Sequence, residues 1–135
     1  MKHPIVSKML NKDAYSNWLG IERIHEAPGE CEIKMTVKPL MLNGFSIAHG
    51  AITYALADSA LAFASNSHGR LAVSVETSIS HLQPVFENDT LIAKATEISM
   101  SEKIGIYEVD ITNQHEVLVA KFKGTVYLKK DTWEI

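Results

Sequence analysis

The chain has little cysteine, no strong net charge and no long uncharged apolar run. Its 135 residues include one cysteine, Cys31, which cannot form a disulfide within the chain, so a reducing, cytoplasmic setting is expected. The net charge is −3, and without a general basic field nothing favours a nucleic-acid partner. The N-terminal stretch has no apolar core long enough for a secretory signal. We therefore expect one globular domain over residues 1–135.

Signatures of several catalytic and metal-binding classes are also absent from the sequence. It contains no H-E-x-x-H, no C-x-x-C and no P-loop, and its six histidines do not pair at ligand spacing, so no metal site is predicted. Residues 44–48 are one residue short of a nucleophile elbow, which disfavours Ser46 as a nucleophile. Cys31 lies on the apolar face of an alternating segment and is interpreted as a small buried side chain. Four histidines are interpreted as surface or strand residues: His25, His68, His81 and His115.

Periodicity predicts a mixed α and β chain. Residues 6–19 are typical of a short helix that ends at Gly20, and residues 21–25 of a strand. Alternation of apolar and polar residues predicts a half-buried strand over 30–38. Four further strands follow the central helix, and short links favour antiparallel neighbours; they cover 71–81, 90–100, 104–113 and 117–128. In the first of them, one face is expected to carry Val73, Val75, Thr77 and Ile79.

The central segment, residues 48–67, is rich in alanine and has the length of a helix. Its apolar residues occupy every side of that helix, which indicates a buried element around which a curved antiparallel sheet could wrap. The segment approaches the length of a membrane span, but it contains Asp58, His49 and several hydroxyl groups, so we expect a core helix and no membrane partner.

Asp58 is the only charged residue in this central segment. A lone carboxylate in apolar surroundings costs stability unless it is paired or used, which makes Asp58 a candidate catalytic residue. The alternative is a structural role, with the carboxylate in a wet groove or bonded to Ser59 or to another chain.

The residues before the helix add a second candidate. Two glycines, an asparagine and a histidine lie within Asn43-Gly44-Phe45-Ser46-Ile47-Ala48-His49-Gly50. A helix start offers unpaired N–H groups and the positive end of the helix dipole, which can hold an anion or a developing oxyanion.

Helix geometry separates Gly50 from Asp58. Eight residues in one helix place them about 12 Å apart along the axis and about 80° apart in direction. Both cannot then surround one carbonyl group, where contacts of about 3 Å are needed. If the two act together, they come from different subunits, and a two-fold dimer contains two identical sites.

These residues resemble a known family. Asn43-Gly44, His49-Gly50 and Leu56-Ala57-Asp58 are similar to the pattern of hotdog-fold acyl-CoA thioesterases of the phenylacetate-degradation (PaaI-like) type. The similarity continues into Ala72-Val73-Ser74-Val75-Glu76 and Leu82-Gln83-Pro84-Val85, and so extends over nearly the whole chain.

The resemblance implies an α+β hotdog fold: a long central helix wrapped by a curved antiparallel sheet, with a short N-terminal helix. It implies homodimers that assemble further into homotetramers, and an acyl-CoA substrate. Coenzyme A would be the leaving group, so no cofactor is expected.

The resemblance also implies roles for individual residues. The Gly50 amide would polarise the thioester carbonyl, and Asp58 of the other subunit would activate water or attack directly. Asn43 would orient the carbonyl or the water. His49 would shape the loop or contact the sulfur side, and Ser74 would help to hold the water.

The chain departs from the family where a second glycine usually follows the histidine: here Ala51 occupies that position. Its methyl group would narrow the acyl pocket without removing a donor. The expected function is hydrolysis of a medium-chain or aryl-acetyl CoA thioester. A hotdog dehydratase and a non-catalytic acyl-CoA binding protein remain the alternatives.

Overall fold

A computed structural model describes residues 2–135. It contains one six-stranded sheet curved around a long helix, preceded by two short helices. The helices are α1 (Pro4–Lys12), α2 (Ala14–Leu19) and α3 (Gly50–Asn66), with a 3-10 turn over Pro39–Met41. The strands are β1 (Glu22–Ala27), β2 (Glu30–Thr36), β3 (Arg70–His81), β4 (Thr90–Met100), β5 (Ile104–Thr112) and β6 (Leu118–Thr132).

The sheet has the order β1-β2-β4-β5-β6-β3, and every neighbouring pair is antiparallel. The expected antiparallel pairing of the strands after the helix is therefore confirmed for β4, β5 and β6. Strand β6, the last in the chain, lies between β5 and β3, so β3 forms one edge of the sheet and β1 the other.

Helix α3 forms the core of the fold, as its composition predicts. The residues that face the sheet are almost fully buried, among them Leu56, Ala60 and Phe63. The helix is not covered on every side, however. Residues spaced three and four apart form a partly open stripe, and they are Ala51, Tyr54, Ala55, Asp58, Ser59 and Ala62. Within residues 2–135, no helix has the length and apolar character needed to cross a membrane.

Close packing between α3 and the sheet depends on Gly124 of β6. A Cβ atom at this position would lie 2.5 Å from a methyl group of Leu61, which is itself only 1% exposed. The strand can therefore approach the helix only where it carries no side chain. Cys31 belongs to the same core at 1% exposure, which confirms its interpretation as a small buried residue.

The N-terminal segment forms two helices, so the prediction of one helix over residues 6–19 is wrong at its centre. Asp13 ends α1 and caps α2, because its carboxylate accepts the Ser16 N–H at 2.9 Å. The predicted stop at Gly20 is correct, since Gly20 takes the left-handed conformation (φ 74°) after the last helical residue.

Strand β3 also differs from the prediction. Ser74 pairs with Val126 and Thr77 with Gly124, with a bulge in between that shifts the register by one residue. Thr77 and Ile79 therefore share the inner face with Ser74, whereas Val73 and Val75 are 48% and 59% exposed. The predicted single face of Val73, Val75, Thr77 and Ile79 is wrong because strict alternation cannot register a bulge.

Candidate active site

The start of α3 leaves one backbone donor free. His49 is the N-cap, and its ring Nδ1 accepts the Ala51 N–H at 3.0 Å, while its carbonyl accepts the Ile52 N–H at 2.9 Å. Gly50 is the first helical residue, and its N–H has no acceptor among the described residues. The N–H groups of Ala51 and Ile52 therefore have acceptors, whereas the Gly50 N–H remains available to a ligand at the positive end of the helix dipole.

Asn43 organises the loop that leads to this helix start. Its side-chain oxygen accepts the N–H of Phe45 at 2.8 Å and that of Ile47 at 3.4 Å, and its backbone N–H donates to the Ile47 carbonyl at 2.7 Å. The side-chain oxygen of Asn43 is thus occupied by loop N–H groups. Its amide Nδ2 remains available as a donor. Phe45 itself is 86% exposed.

Asn43 and Gly50 meet in one cavity of about 400 Å³, here called the Gly50 cavity. The end of β3 and the chain that follows it form the opposite wall. The ring of His81, the last residue of β3, covers Gly50 so closely that a Cβ atom there would lie 3.2 Å from its Nε2. The lining is completed by Ile47, Ala48, Thr53, Leu82, Gln83, Pro84 and Val85.

Asp58 lies in a different cavity, here called the Asp58 cavity, of about 480 Å³. The wall comes from the open stripe of α3 and from the N-terminal helices, with Tyr15 and Tyr54 as its aromatic members. Ser16 and Ser59 are hydrogen-bonded to each other there at 2.8 Å.

The environment of Asp58 favours its neutral form. Burial raises the pKa of its carboxyl group above the usual range, and the negative charge of Asp13 raises it further. Among the described residues, no hydrogen bond or cation offsets this rise. A carboxylate held in this way is a stronger base than one on the open surface.

The remaining candidates, Ala51, Ser74 and His49, do not lie together. Ala51 lines the Asp58 cavity, although it directly follows Gly50. Ser74 lies near Asp58 in a small adjoining cavity of about 70 Å³, on the inner face of β3. His49 is exposed and lines neither the Gly50 nor the Asp58 cavity.

The structure confirms the premise that Gly50 and Asp58 belong to one helix. It places the Gly50 amide with Asn43, and the Asp58 carboxylate with Ser74 and Ala51, in separate cavities. One chain therefore keeps the two groups apart, with the free amide donor at the helix start and the carboxylate at its middle.

Two features near Gly50 and Asp58 are not predicted from the sequence. The prediction that His81 is a surface or strand histidine is confirmed, since it is exposed and ends β3, but its position beside Gly50 is not predicted. Tyr54 hydrogen-bonds through its hydroxyl to Thr77 and contacts Phe122 edge-on at 5.5 Å. Neither contact has a local sequence signal, because each joins α3 to a distant strand.

Acidic, histidine and cysteine side chains do not gather into a metal-binding group anywhere in residues 2–135. The polar groups around Gly50 and Asp58 are amides, hydroxyls, one imidazole and two carboxylates. This set is suited to proton transfer and to binding a carbonyl oxygen.

Comparison with known proteins places this chain in a family. The model of the thioesterase superfamily matches residues 45–120. The acyl-coenzyme A thioesterase PaaI of Escherichia coli is 40% identical over 116 residues, which cover 86% of this chain and 83% of the relative.

Solved structures agree with this match. The E. coli PaaI protein of the phenylacetic acid degradation operon superposes with a TM-score of 0.91 at 37% identity, covering 93% of this chain and 91% of that one. A hypothetical thioesterase protein of Streptococcus pneumoniae, solved with coenzyme A, gives a TM-score of 0.87 at 25% identity, covering 93% of this chain and 98% of that one.

The wrapped helix and antiparallel sheet are thus a hotdog fold, and the expected α+β class is confirmed. The chain belongs to the thioesterase superfamily, PaaI-like in its similarities, and its class of reaction is thioester hydrolysis.

Proposed function

We propose that this protein is an acyl-CoA thioesterase that works as a homodimer, with each site built from two chains. The observation that carries the proposal is the division of one helix into two half-sites, a donor half-site at Gly50 and a carboxylate half-site at Asp58. Gly50 and Asp58 line separate cavities, and eight residues of helix place them about 12 Å apart. A two-fold partner brings the second half-site to the first, and symmetry then gives two complete sites.

In this proposal, the donor half-site holds the carbonyl oxygen of the thioester. The Gly50 N–H points out of the helix start without a protein acceptor, and the Nδ2 amine of Asn43 lies in the same cavity. Donors that are fixed before the substrate arrives stabilise negative charge that develops on this oxygen.

Asp58 of the partner subunit then acts as the base. It removes a proton from water while the water oxygen attacks the carbonyl carbon, and the raised pKa suits a carboxylate that must accept a proton. The carbon–sulfur bond breaks as the carbonyl re-forms, and coenzyme A leaves as the thiolate, which takes up a proton. Ser74 is placed to hold the water, because it lines a cavity with Asp58.

The proposed dimer uses the free edge of the sheet. Strand β3 pairs on one side only, and its outer face exposes Val73 and Val75. An edge with exposed apolar side chains is stabilised when a second strand pairs with it. We propose that β3 of a second copy does so, and that the dimers assemble further into a homotetramer.

The substrate is proposed to be a medium-chain or aryl-acetyl CoA thioester. Tyr15 and Tyr54 supply aromatic walls beside Asp58, and a cavity of about 480 Å³ is within the range that holds a small organic group. Ala51 lines this cavity and limits its width. The coenzyme A in the S. pneumoniae relative supports a CoA ester, in which CoA is part of the substrate rather than a cofactor.

The two alternatives are less well supported. A hotdog dehydratase is less well supported because the matching family model and the E. coli relative are thioesterases, and because Nδ1 of His49 is occupied in capping α3. A protein that only binds acyl-CoA does not need Asp58, because partial burial disfavours the charged form of this carboxylate and so costs stability.

An assay of thiol release from a panel of acyl-CoAs, with short, medium, long and aryl-acetyl groups, tests the proposal. We expect turnover of several members, with the highest kcat/KM among the medium-chain or aryl-acetyl esters. Binding of acyl-CoAs without release of thiol from any of them would favour the binding protein instead.

A further inference from the structure

His81 lies beside Gly50, whose amide is the proposed carbonyl-binding donor. It is the last residue of β3, where it pairs with Ala120. Three ring atoms would lie within 3.2 to 3.9 Å of a Cβ atom on Gly50, and Nε2 is the nearest of them. The nitrogen end of the ring is therefore turned towards Gly50.

Simple geometry shows that one oxygen can reach both groups. A Cβ atom lies about 2.5 Å from the amide nitrogen of its own residue, so Nε2 of His81 is at most about 5.7 Å from the Gly50 nitrogen. An oxygen that accepts hydrogen bonds of about 2.9 Å from two donors can span up to about 5.8 Å. A carbonyl oxygen bound to the Gly50 N–H is therefore within reach of His81.

Hydrogen bonding leaves the ring free for this role. The Asn43 oxygen and the His49 Nδ1 are both occupied by backbone N–H groups, whereas the ring of His81, whose backbone pairs with Ala120, forms no hydrogen bond with another described residue. A ring that carries its proton on Nε2 is a donor in both the neutral and the charged state.

We propose that His81 is a further catalytic residue, which donates its Nε2–H to the thioester carbonyl oxygen together with the Gly50 amide. This inference rests on the proposed function, because it requires a carbonyl at the helix start. It adds a side-chain donor to a site otherwise built from a backbone amide and Asn43. Two or more donors directed at one oxygen stabilise the developing oxyanion more than one does.

The test compares two CoA analogues that cannot be hydrolysed. In one, a CH₂ group replaces the sulfur, so the carbonyl is retained as a ketone; the other is a thioether without the carbonyl oxygen. Binding of both is measured for the wild type, His81→Phe and His81→Gln. The surface variant His115→Gln, in the turn between β5 and β6, is the matched control.

We expect His81→Phe to weaken ketone binding about tenfold, the loss of one hydrogen bond, and to change thioether binding less than about twofold. His81→Gln retains an N–H donor and should recover part of the loss. The ¹³C-labelled ketone carbonyl should absorb at lower frequency on the wild type than on His81→Phe. Turnover of acyl-CoAs should fall in kcat/KM: KM should rise with the ketone dissociation constant, and kcat should fall as well because the hydrogen bond strengthens as charge develops on the oxygen.

Equal weakening of both analogues, or of neither, would overturn the role of His81 while leaving the thioesterase proposal intact. Should His81→Phe lose its fold, as seen in thermal unfolding, His81→Ala decides, because it also lacks a donor: a carbonyl frequency and a ketone-to-thioether ratio unchanged from the wild type would contradict the proposal. Failure of the wild type to bind either analogue would instead contradict the proposed function itself.

Discussion

Two carboxylates of this molecule, the buried Glu26 and the half-buried Asp58, differ in what surrounds them. Glu26 of β1 is 4% exposed and accepts hydrogen bonds from the Arg23 guanidinium and, at 2.6 Å, from the His3 N–H. Burial alone would raise its pKa, but these hydrogen bonds outweigh burial and lower it. Asp58 has no such partners, and its pKa is raised.

Under the proposed function, this difference separates a structural carboxylate, Glu26, from a catalytic one, Asp58. Glu26 fastens the N-terminus and α1 to the sheet, since Arg23 also donates to the His3 carbonyl at 3.0 Å and to the Ser7 hydroxyl at 2.9 Å. Asp58 contributes no such contact and costs stability in its charged form. A residue retained at a cost to the fold is expected to serve the reaction, so the two residues should respond to mutation in opposite ways.

The largest effect is expected for Asp58→Asn, which keeps the volume but removes the base. Hydrolysis should fall at least about a hundredfold, the usual contribution of a general base, while folding is retained. Steady-state turnover of the best acyl-CoA substrate measures the loss. Full activity of the purified variant would refute the role of Asp58, and aggregation would favour a structural role.

The stability of Asp58→Asn gives a second, independent prediction. The pKa of Asp58 is raised in the folded state, so its charged form destabilises the fold above the ordinary carboxyl range and not below it. Asp58→Asn should therefore be at least as stable as the wild type at neutral pH, and the advantage should vanish in acid. Chemical denaturation at several pH values checks this.

Changes at Gly50 come next in size. Proline removes the amide donor and is tolerated at this first helical position, because the preceding His49 is already extended (φ −62°, ψ 137°). We expect Gly50→Pro to lower kcat by about 10² to 10³, the cost of one oxyanion donor.

The matched control is Gly50→Ala, which keeps the N–H but also places a Cβ atom 3.2 Å from His81. It should lose much less activity than the proline variant. Equal losses would mean that steric contact with His81, rather than the amide, explains the effect.

Glu26→Gln should show the reverse pattern, with a loss of stability and retained turnover. Removing the charge weakens the contacts with Arg23 and His3 and should cost about 1–3 kcal/mol. Because the pKa of Glu26 is lowered in the fold, this loss should be present at neutral pH and shrink as the pH falls through the folded-state pKa. A Glu26→Gln enzyme that stays folded but is inactive would contradict the division between the two carboxylates.

The smallest effects are expected at Cys31 and Ser46. Burial raises the pKa of the Cys31 thiol to about 12, so it is not a nucleophile at neutral pH. Ser46 lies in an exposed turn with φ 63° and does not line the Gly50 cavity. Turnover of Cys31→Ala and Ser46→Ala should remain within a few fold of the wild type; a collapse in either folded variant would indicate covalent catalysis.

The contrast between Glu26 and Asp58 also explains which features the sequence reveals. Asp58 is the only charged residue in an apolar helical segment, so its isolation among its sequence neighbours can be read directly, although Asp13 and Ser74 near it come from distant parts of the chain. The burial of Glu26 depends partly on His3, which is distant in sequence, and the contact of His81 with Gly50 joins a strand end to a helix start.

The fold was predictable to a similar extent. Helix α3 is predicted from its length and alanine content and the strands from their alternation, and a hotdog fold follows from the resemblance. The bulge at Ser74–Glu76 and the helix break at Asp13 were not predictable, because one inserted residue or one capping bond leaves the apolar pattern nearly unchanged.

The central claim is that each site combines Gly50 of one chain with Asp58 of the other. Mixing Asp58→Asn with Gly50→Pro tests it most directly, because a mixed dimer then contains one site with both lesions and one with neither. Subunit exchange between the two inactive variants should restore up to about half of the wild-type activity per mixed dimer. Mixed dimers that form, as shown by differential tagging or mass spectrometry, and yet recover no activity would contradict the shared site.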